Sequence, residues 1–228
     1  MASAFPNIAS TIVGEAGNIE LRAHVPVDVV PRAVAVVAHP HPLFGGTMDN
    51  KIVTTIARAF FDADAATYRF NFRGVGASEG MHDEGRGETT DMLTVIAHAL
   101  EQMQSQYPNS PPLPLWLAGF SFGGAVALAA SESVVATEMV LVAPAFERLS
   151  NWKNGQTGAQ MVGNPPENAI IIHGEKDEIV PLADSLNWAR PRNIPVVVIP
   201  GADHFFHLRL PMIKRLVSRL SAGAKASI

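Results

Sequence analysis

Three side chains have the chemistry for acyl transfer, and they follow one another in the order Ser121, Asp177, His204. Ser121 lies in Gly119-Phe120-Ser121-Phe122-Gly123-Gly124, a Gly-x-Ser-x-Gly pattern. A serine hydroxyl is a weak nucleophile until a base takes its proton. An imidazole can accept that proton and return it to a leaving group. A carboxylate must then hold the ring in one tautomer and stabilise its charged form. Asp177 is the expected carboxylate. Its neighbours Glu175 and Glu178 are read as solvated, and Asp203, adjacent to His204, as a turn-shaping residue. His207 is the rival base, expected one turn into the last helix and so too far along.

The surrounding sequence supplies the elements that must position these groups. The apolar run Pro114 to Ala118 reads as a buried strand, and Ala125 to Ala130 as a helix. A strand that reverses into a helix around one serine forces that residue into a strained backbone conformation. Glycines at 119 and 123 let the two arms pass closely. Further apolar runs predict strands at Ala33 to Ala38, Ala65 to Phe72, Met139 to Ala143, Ala169 to Ile172 and Pro195 to Ile199. An earlier, half-exposed strand covers Ile19 to Val25, with His24 solvated. Helices are expected at Lys51 to Asp62, capped by Asp49 or Asn50, at Gly87 to Gln106, and at the C-terminal end. On that last helix Leu210, Ile213, Val217 and Leu220 share a face. Strands alternating with helices predict an α/β fold with a mostly parallel sheet covered on both faces. Asp177 and His204 then follow two of its strands, so all three residues emerge at the carboxyl end. Pro144 to Pro166 is the least regular stretch, long enough for a flap and too short for a cap domain. The whole chain, 1–228, is expected to be one domain.

Acyl transfer also needs two N–H donors for the oxyanion. One must come from the loop His39-Pro40-His41-Pro42-Leu43-Phe44-Gly45-Gly46. Pro40 and Pro42 have no N–H, which leaves His41 or Leu43, and Leu43 is preferred because the loop opens directly after it. Two histidines one residue apart could suggest a metal site, but no third ligand or metalloprotease glutamate accompanies them. The Gly-rich loop Asn71 to Ser78, with Arg73, lacks a dinucleotide pattern or P-loop lysine and is read as structural. Phe44, Phe205 and Phe206, with Phe122, are the candidates to line an apolar acyl site.

Taken together, these motifs resemble the α/β-hydrolase superfamily. More narrowly, the chain looks like the small, capless bacterial α/β-hydrolases that carry a His-Pro-His-Pro-Leu-x-Gly-Gly loop, here His39 to Gly46. The resemblance also rests on Phe70-Asn71-Phe72-Arg73-Gly74-Val75-Gly76, on His173-Gly174 with Asp177, and on Gly201 to Phe206. It runs from about residue 20 to the last helix. It implies an α/β-hydrolase fold without a cap, Ser121 as nucleophile, Asp177 as acid, His204 as base, and the Phe122 amide as an oxyanion donor.

Composition bounds the rest. The net charge is −4, and there are no cysteines. There is therefore no disulfide, thiolate metal site or cysteine nucleophile, and no basic surface for nucleic acid. Neither a secretory leader nor a membrane span is read in the chain, so a cytoplasmic protein is expected. The expected substrate is a small-molecule ester with a short acyl group, with no cofactor and no metal. Thioesterase, peptidase, lactonase or perhydrolase chemistry uses the same residues. A catalytically silent binding protein on the same fold is the alternative of a different class. Oligomeric state is not read from the sequence.

Overall fold

The computed structural model describes residues 8–27, 29–146 and 163–223. In chain order the strands are β1 (Ile8–Gly14), β2 (Gly17–His24), β3 (Ala33–Ala38), β4 (Ala65–Phe70), β5 (Leu115–Phe120), β6 (Glu138–Val142), β7 (Asn168–Gly174) and β8 (Val196–Ile199). The helices are α1 (Lys51–Phe61), α2 (Arg86–Gln106), α3 (Phe122–Ala130), α4 (Leu182–Ala189) and α5 (Leu210–Gly223). The strands form one sheet in the order β1-β2-β4-β3-β5-β6-β7-β8. From β4 to β8 every pairing is parallel, while β1 and β2 add an antiparallel hairpin at one edge.

The continuous apolar strands are explained by cover on both faces. In β3, Val34, Val36 and Ala38 face one core, and Ala33, Ala35 and Val37 the other. The first core is closed by α2, α3 and α4, through residues such as Met92, Leu128 and Trp188. The second is closed by α1 and α5, through Ile52, Ile56, Phe60, Ile213 and Val217. Asn50 caps α1, its side chain accepting from the Ile52 N–H at 2.9 Å. Lys214 of α5 pairs with Asp62 at the end of α1, 2.7 Å away.

Some expectations are corrected. The elbow strand runs on through Gly119 to Phe120, and β4 stops at Phe70. β1 carries mostly exposed residues and no apolar alternation, so nothing in its composition marks it. His24 is buried rather than solvated: β2 is flanked by β1 and β4, and Arg69 Nη2 lies 3.1 Å from the His24 Nε2. Arg73 of the Gly-rich loop grips the buried Asp91 of α2, Nη2 to Oδ1 at 2.8 Å, as a structural clamp. Of the irregular stretch Pro144 to Pro166, residues 147–162 lie outside the described residues.

The switch in strand order falls at β3, with β4 on one side and β5 on the other. A crevice at the carboxyl ends is expected there, and the turn after β5 is built to reach it. Ser121 has φ 55° and ψ −117°. Its N–H donates to Val142 O at 2.9 Å, and its carbonyl accepts from Ala145 N–H at 3.0 Å, so the exit of β6 pins the turn. The two glycines are required by contact. A Cβ on Gly119 would sit 2.1 Å from Gly123 O, and one on Gly123 would sit 2.4 Å from His39 O and 2.5 Å from Ala38 O. These are backbone atoms and cannot swing aside. Gly124 is easier, its nearest neighbour being Pro144 Cβ at 3.1 Å. Gly123→Ala is therefore expected to cost roughly 3 kcal/mol or more, and Gly124→Ala less than about 1.5 kcal/mol. Urea unfolding of both variants beside the wild type checks the difference.

Candidate active site

Ser121, His204 and Asp177 come from three separate turns at the carboxyl end of the sheet, and the fold brings them into one hydrogen-bonded chain. His204 Nε2 lies 3.1 Å from Ser121 Oγ, and His204 Nδ1 lies 2.7 Å from Asp177 Oδ2. A carboxylate only accepts, so Nδ1 carries the proton and Nε2 is left to accept from the serine hydroxyl. All three residues are nearly buried. The His204 ring is held between Phe120, at 4.9 Å between centroids, and Phe205, edge-on at 5.4 Å.

Asp177 is the most heavily bonded group in the site. Its Oδ1 accepts from the N–H groups of Ile179 at 3.0 Å and Val180 at 2.8 Å. Its Oδ2 accepts from His204 and also lies 3.3 Å from His173 Nε2. Burial by itself would raise the carboxyl. The bonds from His173, His204 and the Val180 N–H outweigh that and hold it well below the usual carboxylate range. His173 is a site residue whose role sequence reasoning missed. It is fully buried, with Nε2 also 2.9 Å from Val180 O and Nδ1 2.8 Å from Ser185 Oγ. The available signal was a histidine ending an apolar strand, which must find partners for both nitrogens.

The rival groups lie elsewhere. Glu175 and Glu178 are exposed, and Glu175 accepts from the Gly201 N–H at 2.7 Å. His207 is not in a helix, because α5 begins at Leu210. It is an exposed turn residue whose Nδ1 lies 2.5 Å from Asp203 Oδ2.

Ser121 and His204 line a cavity of about 360 Å³, with His41, Phe44, Phe120, Phe122 and Phe205 among its walls. Two expected residues are not brought there. Leu43 is 69% exposed, and its N–H donates to the His41 Nδ1 at 3.2 Å, closing the short 3-10 turn Pro42–Phe44. That amide is spent on the turn. The N–H groups of Phe44, Gly45 and Gly46 also donate within the loop, to His41 O and Pro42 O. Phe206 is buried against α5 with Ile213 and Val217. Its backbone is left-handed, φ 50°, and its neighbour Phe205 lies at the cavity. Phe122 stands at the first position of α3, where its N–H has no intrahelical acceptor.

His39 has a structural role. Its Nε2 accepts from the Phe72 N–H at 3.0 Å, and its Nδ1 donates to Pro40 O at 2.6 Å. These bonds tie the loop after β3 to the loop after β4. A larger concavity of about 560 Å³ lies at the amino ends of the strands, near Tyr107 and Leu115. Among the described residues no helix is long and apolar enough to cross a membrane.

This arrangement can be compared with known proteins. The family described as serine aminopeptidase, S33, matches residues 31–163, more than half of the chain. The chain belongs to this family of α/β serine hydrolases. A solved structure from Xanthomonas campestris, described as an α/β serine hydrolase without lid, is 32% identical with a TM-score of 0.80, over 97% of both chains. An α/β serine hydrolase homologue from Coxiella burnetii is 33% identical with a TM-score of 0.77, over 96% of this chain and 99% of that one. An uncharacterized protein of Rickettsia prowazekii (strain Madrid E) is 28% identical over 81% of this chain and 76% of its own length. The fold of this chain is accordingly the α/β-hydrolase fold.

Acid should weaken this fold in two windows. Burial lowers the pKa of His39 from 6.5 to about 4, against an opposing bond to Pro40 O and with a further push from His41. The unfolded chain therefore takes up a proton between pH 6.5 and 4 that the native chain refuses. Stability is fully present above that window and falls as pH falls through it, by up to about 3 kcal/mol. Asp177 adds a second loss only below about pH 4, where its unfolded carboxyl protonates. Urea midpoints between pH 7.5 and 4.5 should show the first slope in the wild type and a flatter line in His39→Gln.

Proposed function

We propose that this chain is a serine esterase that cleaves small or short-acyl carboxylic esters through an acyl-enzyme. The observation that carries the reading is the hydrogen-bonded chain Ser121–His204–Asp177 at the wall of an open cavity. Ser121 Oγ attacks the ester carbonyl while His204 Nε2 takes its proton. The C–O bond to the alcohol breaks as His204 returns that proton to the leaving oxygen. Water then attacks the acyl-enzyme, giving a proton to His204, which passes it to Ser121 Oγ as the acyl C–Oγ bond breaks and the acid leaves. Asp177 keeps the ring oriented and stabilises the imidazolium. The Phe122 N–H is one oxyanion donor. The second is assigned to His41, the other non-proline amide weighed in the loop and a residue of the cavity wall. On this reading the chain sits with the lidless bacterial hydrolases that carry the His39 to Gly46 loop, works in the cytoplasm and needs no cofactor.

Ester chemistry is preferred to aminopeptidase chemistry for a physical reason. Recognising a free α-ammonium calls for a carboxylate facing the substrate. Among the described residues lining the cavity there is none; its walls are phenylalanine, histidine, one isoleucine, one asparagine and small residues. Aminoacyl anilides should therefore be turned over at least about 100-fold less efficiently than short-chain esters.

Three measurements test the reading. A fluorophosphonate should add once to the wild type and not to Ser121→Ala, by intact mass. Asp177→Asn should lower kcat by about 10⁴-fold with the fold intact. Across p-nitrophenyl esters, kcat/KM should peak at short acyl chains. A steady rise from acetyl to palmitoyl, or no adduct on either protein, would sink the proposal.

A further inference from the structure

We propose that the cavity selects an aromatic acyl group, so that the preferred substrates are small-alcohol esters of compact aromatic acids, of the benzoic or cinnamic type. This rests on the serine-esterase reading and names its substrate class.

The argument begins with the kind of side chain around Ser121. Phe44 and Phe205 bring exposed rings to the cavity, Phe120 and Phe122 stand behind its wall as buried core residues, and Ile179 is the one branched aliphatic among its described lining residues. A groove for a long alkyl chain is made from flexible aliphatic side chains, which follow the chain as it bends. Here the rings pack on two histidines. On one side Phe120 and Phe205 pack on His204, at 4.9 and 5.4 Å between centroids. On the other, Phe44 and Phe122 pack on His41, each at 4.8 Å. Ser121 belongs to the same cavity, so a group held against Phe44 and Phe205 shares it with the nucleophile.

Exposure supports the same conclusion. Phe44 is 77% exposed and Phe205 41%. The fold leaves these two rings uncovered at the cavity, where an apolar ligand would bury them. Exposed rings favour a flat aromatic partner through edge-to-face and offset contacts, by about 2- to 10-fold per ring beyond simple area burial. The volume, about 360 Å³, has room for a ring on a short linker.

The test compares ethyl benzoate and ethyl cinnamate with ethyl butanoate and ethyl octanoate, following release of the acid. An aliphatic alcohol is used throughout, so the only ring is on the acyl side. The wild type should favour the aromatic esters by at least about 10-fold in kcat/KM. Phe44→Leu and Phe205→Leu keep apolar bulk but remove the ring, and each should reduce the aromatic-to-aliphatic ratio by about 3-fold or more. Calorimetry of cinnamate and octanoate binding to Ser121→Ala reads the cavity without chemistry, and fluorophosphonate labelling reads the serine without acyl selectivity. If Ser121 is labelled but aliphatic esters are used as well or better, the aromatic proposal is overturned and the hydrolase reading stands. Absence of labelling and turnover, with cinnamate still bound ahead of octanoate, removes the hydrolase reading and supports the aromatic cavity. Ratios unchanged in both leucine variants, or no binding preference for cinnamate, overturn the proposal.

Discussion

The structure depends on one close approach of backbone to backbone, where β5 turns into α3. Gly119 lies against the carbonyl of Gly123, and Gly123 lies against the carbonyls of Ala38 and His39 at the end of β3. This contact draws the first turn of α3 down onto two adjacent parallel strands. It also forces Ser121 into a left-handed φ of 55° and fixes the direction of its hydroxyl. Such a residue costs on the order of 1–3 kcal/mol and persists only where its surroundings over-determine it. Here they do, since the exit of β6 binds the Ser121 backbone on both sides, through Val142 O and Ala145 N–H.

Around that turn the buried polar groups are mutually satisfied. Three buried histidines at the carboxyl end have three distinct tasks. His39 joins two loops through backbone partners, His173 braces Asp177 from below, and His204 spans Asp177 and Ser121. Each ring's protonation pattern follows from its neighbours. His39 must accept from Phe72 N–H, so its proton lies on Nδ1. His204 faces a carboxylate, so its proton also lies on Nδ1. A carboxylate with this many donors stays ionised despite burial, which is what a partner for an imidazolium has to do. The fold itself leaves the reaction open, since one scaffold hosts many chemistries. Near Ser121 the cavity wall is largely phenylalanine and histidine, with no carboxylate among its described residues.

The primary sequence was sufficient for the parallel core and for the three residues that meet at its carboxyl end. Strands buried on both faces must read as continuous apolar runs, as Ala33–Ala38 and Leu115–Phe120 do. A serine between two glycines, with an acid and a histidine after later strands, is ordered by chain connectivity alone. What the sequence could not supply are the features that depend on contacts between distant segments. The burial of His24 comes from an edge hairpin whose outer strand carries no apolar pattern. Phe205 and Phe206 are alike in sequence, yet the first lies at the cavity and the second in the core. The Leu43 amide is taken by the side chain two residues before it, a short-range bond that residue types do not disclose. His173 reaches Asp177 only because β7 ends in a turn that folds the carboxylate back over the strand. Side-chain direction at a turn is set by backbone angles and by what packs behind it, and these were decided by the tertiary structure.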